Sequence, residues 1–281
     1  MSCCAPSSGR DNEILGAAPG GSGGSTDGMI RVEGAAFAMG ADDPWAYPED
    51  GEGPVREVRV SSCWIDPCAV SNARFAEFVD ASGYVTEAER YGWSFVFAGV
   101  LPDDFPPTQA VAQAPWWRKV EGADWRHPEG PQSDLGARAS HPVVHASFND
   151  AVAYCVWAGK RLLTEAEWEF AARGGLREKV FPWGDDLEPN GEHRMNVWQG
   201  TFPDTNTAPN GSYATCPVDA FPANGFGLHN ATGNVWEWTA DWLHPSFRQR
   251  DSTTNPKGPA RGVSKVQKGG SYLCHHSYCR R

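Results

Sequence analysis

Two cysteine pairs in the sequence share a Cys-x4-Cys spacing, Cys63 with Cys68 and Cys274 with Cys279. Residues five apart lie on opposite faces of a strand and about 140° apart around a helix. The sulfurs of either pair therefore meet only where the backbone is irregular. Context separates the two. Cys63-Trp-Ile-Asp-Pro-Cys68 is mostly apolar and holds no cation, which suits buried, inert thiols. Cys274-His-His-Ser-Tyr-Cys279 follows Gly269-Gly270-Ser271 and precedes Arg280-Arg281. Nearby His and Arg favour thiolate, and the glycines let the backbone turn tightly beside it. Two thiolates are soft donors that suit Cu(I) and leave room for a third sulfur. The same pair also reads as two ordinary core cysteines.

A second cluster runs from Asn196 to Glu237. Asn196, Asn210, Asn230 and Glu237 supply hard oxygen donors, and the glycine-rich loops between them expose carbonyls. That set suits Ca²⁺, which takes about six to eight oxygens in flexible geometry. Nothing in it matches an EF-hand, and the same side chains also read as amides that tie turns together. The chain has no Gly-x-Gly-x-x-Gly, P-loop or His-Glu-x-x-His helix, and its Gly-x-Ser-x-Gly match, Gly20–Gly24, lies in a Gly/Ser-rich run with no strand pattern before it to make an elbow. Dinucleotide, NTPase, hydrolase and zincin readings lose their simplest support.

The elements that must position these residues are short. Gly 31 and Pro 22 in 281 residues interrupt any long helical period, which excludes a helical bundle or coiled coil. Trp 13 supplies large rings that seal a core where regular structure is sparse. Residues 1–28 read as a flexible tail around Gly20–Ser25, with order beginning near Met29. Phe37–Met39 and Val55–Val60 read as strands. Ser71-Asn72 caps a helix that buries Phe75, Phe78 and Val79 and stops before Gly83. Residues 100–140 read as long loops held by Trp116, Trp117 and Trp125. Asp150 is expected to cap Ala151–Ala158, and Thr164 with Glu167 forms a capping box for a helix that Gly174-Gly175 stops. One mixed, irregular α+β domain over residues 29–281 is the physical reading.

A formal net charge of −11 argues against nucleic acid, which needs a basic stripe. The longest apolar run, Phe95–Leu101, is far short of a membrane span, and the start lacks an apolar core behind positive charge. No nucleic acid, no membrane and a cytoplasmic location are the expectations. The eight cysteines are then expected to be mostly reduced thiols.

Lys268-Gly-Gly-Ser-Tyr-Leu-Cys-His-His-Ser-Tyr-Cys279 resembles the active-site segment of formylglycine-generating enzymes, the sulfatase-modifying factors. Asn224-Gly-Phe-Gly-Leu-His-Asn-Ala-Thr-Gly-Asn-Val-Trp-Glu-Trp238 is similar to the same family, as are His141-Pro-Val-Val-His145, Asn149–Leu162, Thr164–Gly175, Trp116-Trp117, His127-Pro-Glu-Gly130 and Asn196-Val-Trp-Gln-Gly200. The resemblance spans roughly residues 29–281. It implies the family's irregular α+β domain, related to C-type lectin folds. It also implies an oxidase that uses O2 and Cu(I) to convert a cysteine to Cα-formylglycine. The substrate implied is an unfolded sulfatase polypeptide, with the cysteine in a Cys-x-Pro-x-Arg segment. Cys274 and Cys279 would hold copper, with the substrate thiolate as a third sulfur. Ser271 and His275 match active-site positions, and Trp236 would line an oxygen pocket. Asn196, Val197, Asn210 and Ser212 match one calcium site, and Asn230, Gly233, Val235 and Glu237 the other. Val197, Ser212, Gly233 and Val235 would act through backbone carbonyls.

The sequence departs from the family pattern in five places, one of them Ala223, which stands where relatives often carry a second proline. Asn210 stands where aspartate is common, which takes a charge from that calcium site. Leu163 replaces a proline before the capping box. Ala69 replaces a glutamate linked to the substrate arginine. The sequence ends at Arg281, so the resemblance implies that the family's C-terminal segment is missing. Two rival readings remain: a non-catalytic binding module of the same fold, and a dithiol reductase that cycles a Cys274–Cys279 disulfide.

Overall fold

The computed structural model describes residues 24–44, 46–208, 214–244, 246 and 251–275. Among these residues regular structure is sparse, and five small antiparallel sheets carry it. β1 (Ile30–Val32) pairs with β4 (Cys63–Ile65), and β2 (Ala36–Met39) pairs with β3 (Arg56–Arg59). β7 (Ala114–Glu121) lies between β5 (Trp93–Phe97) and β6 (Ala110–Val111). β8 (Gly200–Thr201) pairs with β9 (Thr205–Asn206), and β10 (Glu237–Trp242) pairs with β11 (Lys265–Lys268). Among the described residues four α-helices complete the set: α1 (Asn72–Ser82), α2 (Glu87–Tyr91), α3 (Phe148–Trp157) and α4 (Glu165–Ala172). This is a mixed α+β domain, as the sequence implied. Among the described residues no helix is long and apolar enough to cross a membrane.

Local chemistry sets the helix ends. Ser71 accepts from the Arg74 N–H at the start of α1, and Gly83 closes it in the left-handed region. Thr164 and Glu167 form a reciprocal capping box on α4. A further box, Thr86 with Glu89, starts α2, which the sequence reading did not mark. The start of α3 differs from expectation. Its cap is Ser147, and Asp150 is the third helical residue, whose carboxylate returns to the Ser147 N–H. A second correction concerns Trp116 and Trp117. They stand on β7, paired against β5, and not in a long loop. Their partners lie some twenty residues away, so no local period announces the strand.

The core is built of rings. Phe75, Phe78 and Trp125 are all but fully buried where α1 meets α3, and Tyr154 joins them. Burying each such side chain contributes about 2–3 kcal/mol. A second cluster packs β1–β4 against α4 through Val32, Val58, Ile65 and Phe170. A third places Phe97 of β5 against Trp198 and Leu273. That last cluster anchors the segment carrying the candidate chemistry.

Candidate active site

β10 and β11 form a ribbon that ends in a cysteine loop. Glu237 is the register partner of Lys268, and Thr239 Oγ1 donates to the Val266 carbonyl at 3.1 Å. Gly269 and Gly270 follow with φ of 91° and 74°, conformations that side chains rarely adopt. A Cβ on Gly269 would also press within 3.2 Å of the Trp168 ring. The chain then folds into a tight loop. The Cys274 N–H donates to the Ser271 carbonyl at 2.9 Å, and the Ser271 N–H donates to Cys274 Sγ at 3.2 Å. The Tyr272 N–H donates to the Asn234 carbonyl, and the Trp198 N–H to the Cys274 carbonyl. Leu273 is buried against Phe97 and Trp198.

Charge at the root of the loop is paired. Lys268 Nζ lies 3.2 Å from Glu169 and 3.6 Å from Glu165. Burial acts to raise the Glu169 carboxyl, but Lys268 and Arg173 beside it overcome that and hold it at about 2. Glu237 shows the opposite balance. Burial pushes its carboxyl up to about 7 against a hydrogen bond from Trp168 Nε1 at 2.8 Å.

Cys274 and Ser271 open on a cavity of about 1200 Å³, whose walls include Trp236, Trp117 and Phe97. Cys274 is 5 % exposed and is disulfide-bonded. The other described cysteines, Cys63, Cys68, Cys155 and Cys216, are free. Cys279, Asn210 and Ser212 lie outside the described residues. His275 is half-buried and stacks on Phe202 with ring centroids 6.5 Å apart. Cys63 and Cys68 are half-buried where the sequence suggested full burial, and burial raises both thiols. That shift favours the thiol over the thiolate at neutral pH.

The donor chemistry at Cys274 fits copper. Its sulfur is soft, and the Ser271 N–H pointing at it favours the thiolate once the disulfide is reduced. The residues assigned to calcium fit in part. Asn230 sits at φ 48°, its Nδ2 donates to the Pro217 carbonyl, and its buried Oδ1 has no hydrogen-bond partner. An orphaned buried acceptor of this kind suits a cation. The two proposed calcium segments also meet: Asn196 bridges Gly233, and the Asn234 N–H donates to the Asn196 carbonyl at 2.8 Å. Val197 and Val235 are half-buried beside them. The Asn196 amide itself ties turns, donating to the Ala214 carbonyl and to Asn234 Oδ1. Among the described residues no group of three or more His, Cys, Asp and Glu could hold a metal. A calcium ion here would thus draw mainly on amide and carbonyl oxygens, with Glu237 the one carboxylate in the assigned set.

Asn234 is the residue the sequence reading missed. It is 2 % exposed and holds φ 64°. Its amide exchanges hydrogen bonds with both the N–H and the carbonyl of Cys216, while its backbone joins Asn196 to Tyr272. Its signal was an Asn after Gly, a pair that favours left-handed turns.

Fold and site together define an irregular α+β domain in which a ribbon presents a cysteine loop to an aromatic-walled cavity. The chain belongs to the family described as sulfatase-modifying factor enzyme 1-like, whose model matches residues 17–281. It is 57% identical over 258 residues to the formylglycine-generating enzyme of Thermomonospora curvata, covering 90% of this chain and 85% of that one. The formylglycine-generating enzyme of Bos taurus is 53% identical over 276 residues, 97% of this chain and 73% of its own. A Bos taurus protein named inactive C-alpha-formylglycine-generating enzyme 2 is 50% identical over 220 residues, 77% and 71% of the two chains. The structure of PvdO from Pseudomonas aeruginosa has a TM-score of 0.60 at 24% identity, covering 87% of this chain and 82% of that one; it speaks to the fold alone.

Proposed function

We propose that this protein converts a cysteine in a Cys-x-Pro-x-Arg segment of an unfolded sulfatase to Cα-formylglycine, using O2 and Cu(I). The observation that carries the reading is the Ser271–Cys274 loop, whose buried sulfur accepts a backbone N–H at the wall of a large cavity. Family membership and relatives named for this activity support it. Cys274 and Cys279 would hold the copper together with the substrate sulfur, and the ion supplies the electron chemistry with O2. The chain's own residues do the rest. The Ser271 N–H favours the thiolate of Cys274, and the hydrogen bonds at Asn234 and Trp198 fix the loop. Trp236 and Trp117 line the cavity and help exclude water from it. Calcium, bound through Asn230 and its neighbours, would be structural.

The disulfide at Cys274 sets the order of the test: reduction precedes loading. A Cys-x-Pro-x-Arg peptide is incubated with reduced, Cu(I)-loaded protein, with and without O2, and followed by mass. Conversion of the thiol to the aldehyde that needs both O2 and Cu(I) is the expected result. The inactive relative favours one second reading, a non-catalytic module of the same fold. Peptide binding without conversion, and without any effect of Cu(I), would establish that module instead.

A further inference from the structure

The cavity wall carries a second polar device that the reading above leaves unused. Ser94, in β5, has its Oγ 2.7 Å from His145 Nδ1, and His145 Nε2 lies 2.9 Å from the Pro128 carbonyl oxygen. A carbonyl oxygen only accepts, so Nε2 carries the hydrogen and Nδ1 of the neutral ring is the acceptor. The Ser94 hydroxyl therefore donates to Nδ1. A hydroxyl, a base and a group that orients the base stand in line. His145 is held at φ 56°, an uncommon conformation for a side-chain-bearing residue.

Both residues line the cavity on which Ser271 and Cys274 open. β5 is also tied to the cysteine loop, because Phe97 packs on Leu273. Charges around the ring come from the segment that precedes it. Burial lowers the imidazole, so it is the neutral base at pH 7, while the hydrogen bond to Pro128 and the carboxylates of Glu129 and Asp124 favour the proton once it arrives. Glu129 is fixed by Arg138 through two bonds of 2.6 and 2.9 Å. Tyr272 faces the same carboxylate from the cysteine loop; burial, and then Glu129, push its phenol up, so it stays neutral.

We propose that Ser94 and His145 form the proton acceptor for the substrate cysteine. As that cysteine docks, its S–H proton passes to Ser94 Oγ while the Ser94 hydroxyl proton passes to His145 Nδ1. The substrate sulfur is left as thiolate, Ser94 as hydroxyl, and His145 as imidazolium with its Nε2–H still on Pro128. The imidazolium then returns its proton to water. The inference rests on the function proposed above, and it adds the route by which the thiol becomes the thiolate.

The test is anaerobic stopped flow, in which tryptophan fluorescence follows peptide capture by reduced, Cu(I)-loaded protein without turnover. Capture of the cysteine peptide is expected to rise with pH along one limb, centred below the ordinary imidazole value. His145→Asn, chosen because Asn tolerates the left-handed backbone, should lose that limb and slow capture about 100-fold at neutral pH. Added imidazole should restore the rate in proportion to its concentration. Ser94→Ala should slow capture similarly and provides the same reading if the His145 variant fails to fold. A peptide with serine in place of cysteine should be captured equally by all three proteins. Capture of the cysteine peptide at wild-type rate by both variants would overturn the proposal. So would equal slowing of both peptides, which marks a structural role. If the wild type fails to capture the cysteine peptide, the functional reading falls and this proposal falls with it.

Discussion

Replacing Glu169 by Gln tests the charge arrangement at the root of the cysteine loop. The carboxylate is 7 % exposed and accepts from the Gly40 N–H and Arg173 at 2.7 Å each, with Lys268 Nζ at 3.2 Å. These partners hold it at about 2, against an ordinary value of 4.5. That difference corresponds to about 3 kcal/mol of folded-state preference for the charged form. The sign follows from the depressed value: the stabilisation is fully present above 4.5 and is lost as pH falls toward 2. Glu169→Gln keeps the shape but gives up the charge, so at pH 7 it should be less stable by up to about 3 kcal/mol. For a domain of this size the midpoint should drop by about 6–12 °C. Thermal unfolding of both proteins, followed by circular dichroism from pH 7 to 2.5, measures the gap. The other carboxylates titrate in both proteins, so the difference isolates Glu169. A gap that stays constant down to pH 2.5 would mean lost packing and would refute the electrostatic account, and no gap at pH 7 would refute it outright.

Four other outcomes are expected. Cys274→Ser and Cys279→Ser should each abolish tight Cu(I) binding and turnover, because a hydroxyl is a hard donor, while Cys63→Ser and Cys68→Ser spare both; Cu(I) titration against a competing chelator reads this out. Calcium, if held by Asn230, stabilises the folded state by about 2.7 kcal/mol at a hundredfold excess over its dissociation constant. A chelator should then lower the unfolding midpoint of the wild type and leave that of Asn230→Ala unchanged. Gly233→Ala places a Cβ 2.5 Å from the Asn196 carbonyl at φ 78° and should cost well over 1 kcal/mol in denaturant unfolding. Gly83→Ala, at φ 66° with open space around it, should cost only about 1 kcal/mol.

The sequence alone was sufficient wherever the deciding interaction is local. Ser71 and Thr164 cap their helices through backbone N–H groups three residues on, and that reach is visible in the order of residues. Even there a near neighbour can mislead: Ser147 and Asp150 both cap well in isolation, and the structure uses Ser147 as the cap with Asp150 answering it. The cysteine loop was legible because glycines, a serine and a cysteine lie within one short segment. Trp116 and Trp117 were not, because their strand exists through pairing with Trp93–Phe97 and Ala110–Val111, and a strand's hydrogen bonds are made to other parts of the chain. Asn234 was invisible as a hub for the same reason, since Asn196, Cys216 and Tyr272 converge on it from three separate segments. Ser94 and His145 lie 51 residues apart, and only the folded chain brings hydroxyl and imidazole to 2.7 Å. Residue type supplies the chemistry each side chain is capable of. Which of them share a proton, a buried charge or a cavity is decided by packing between distant segments.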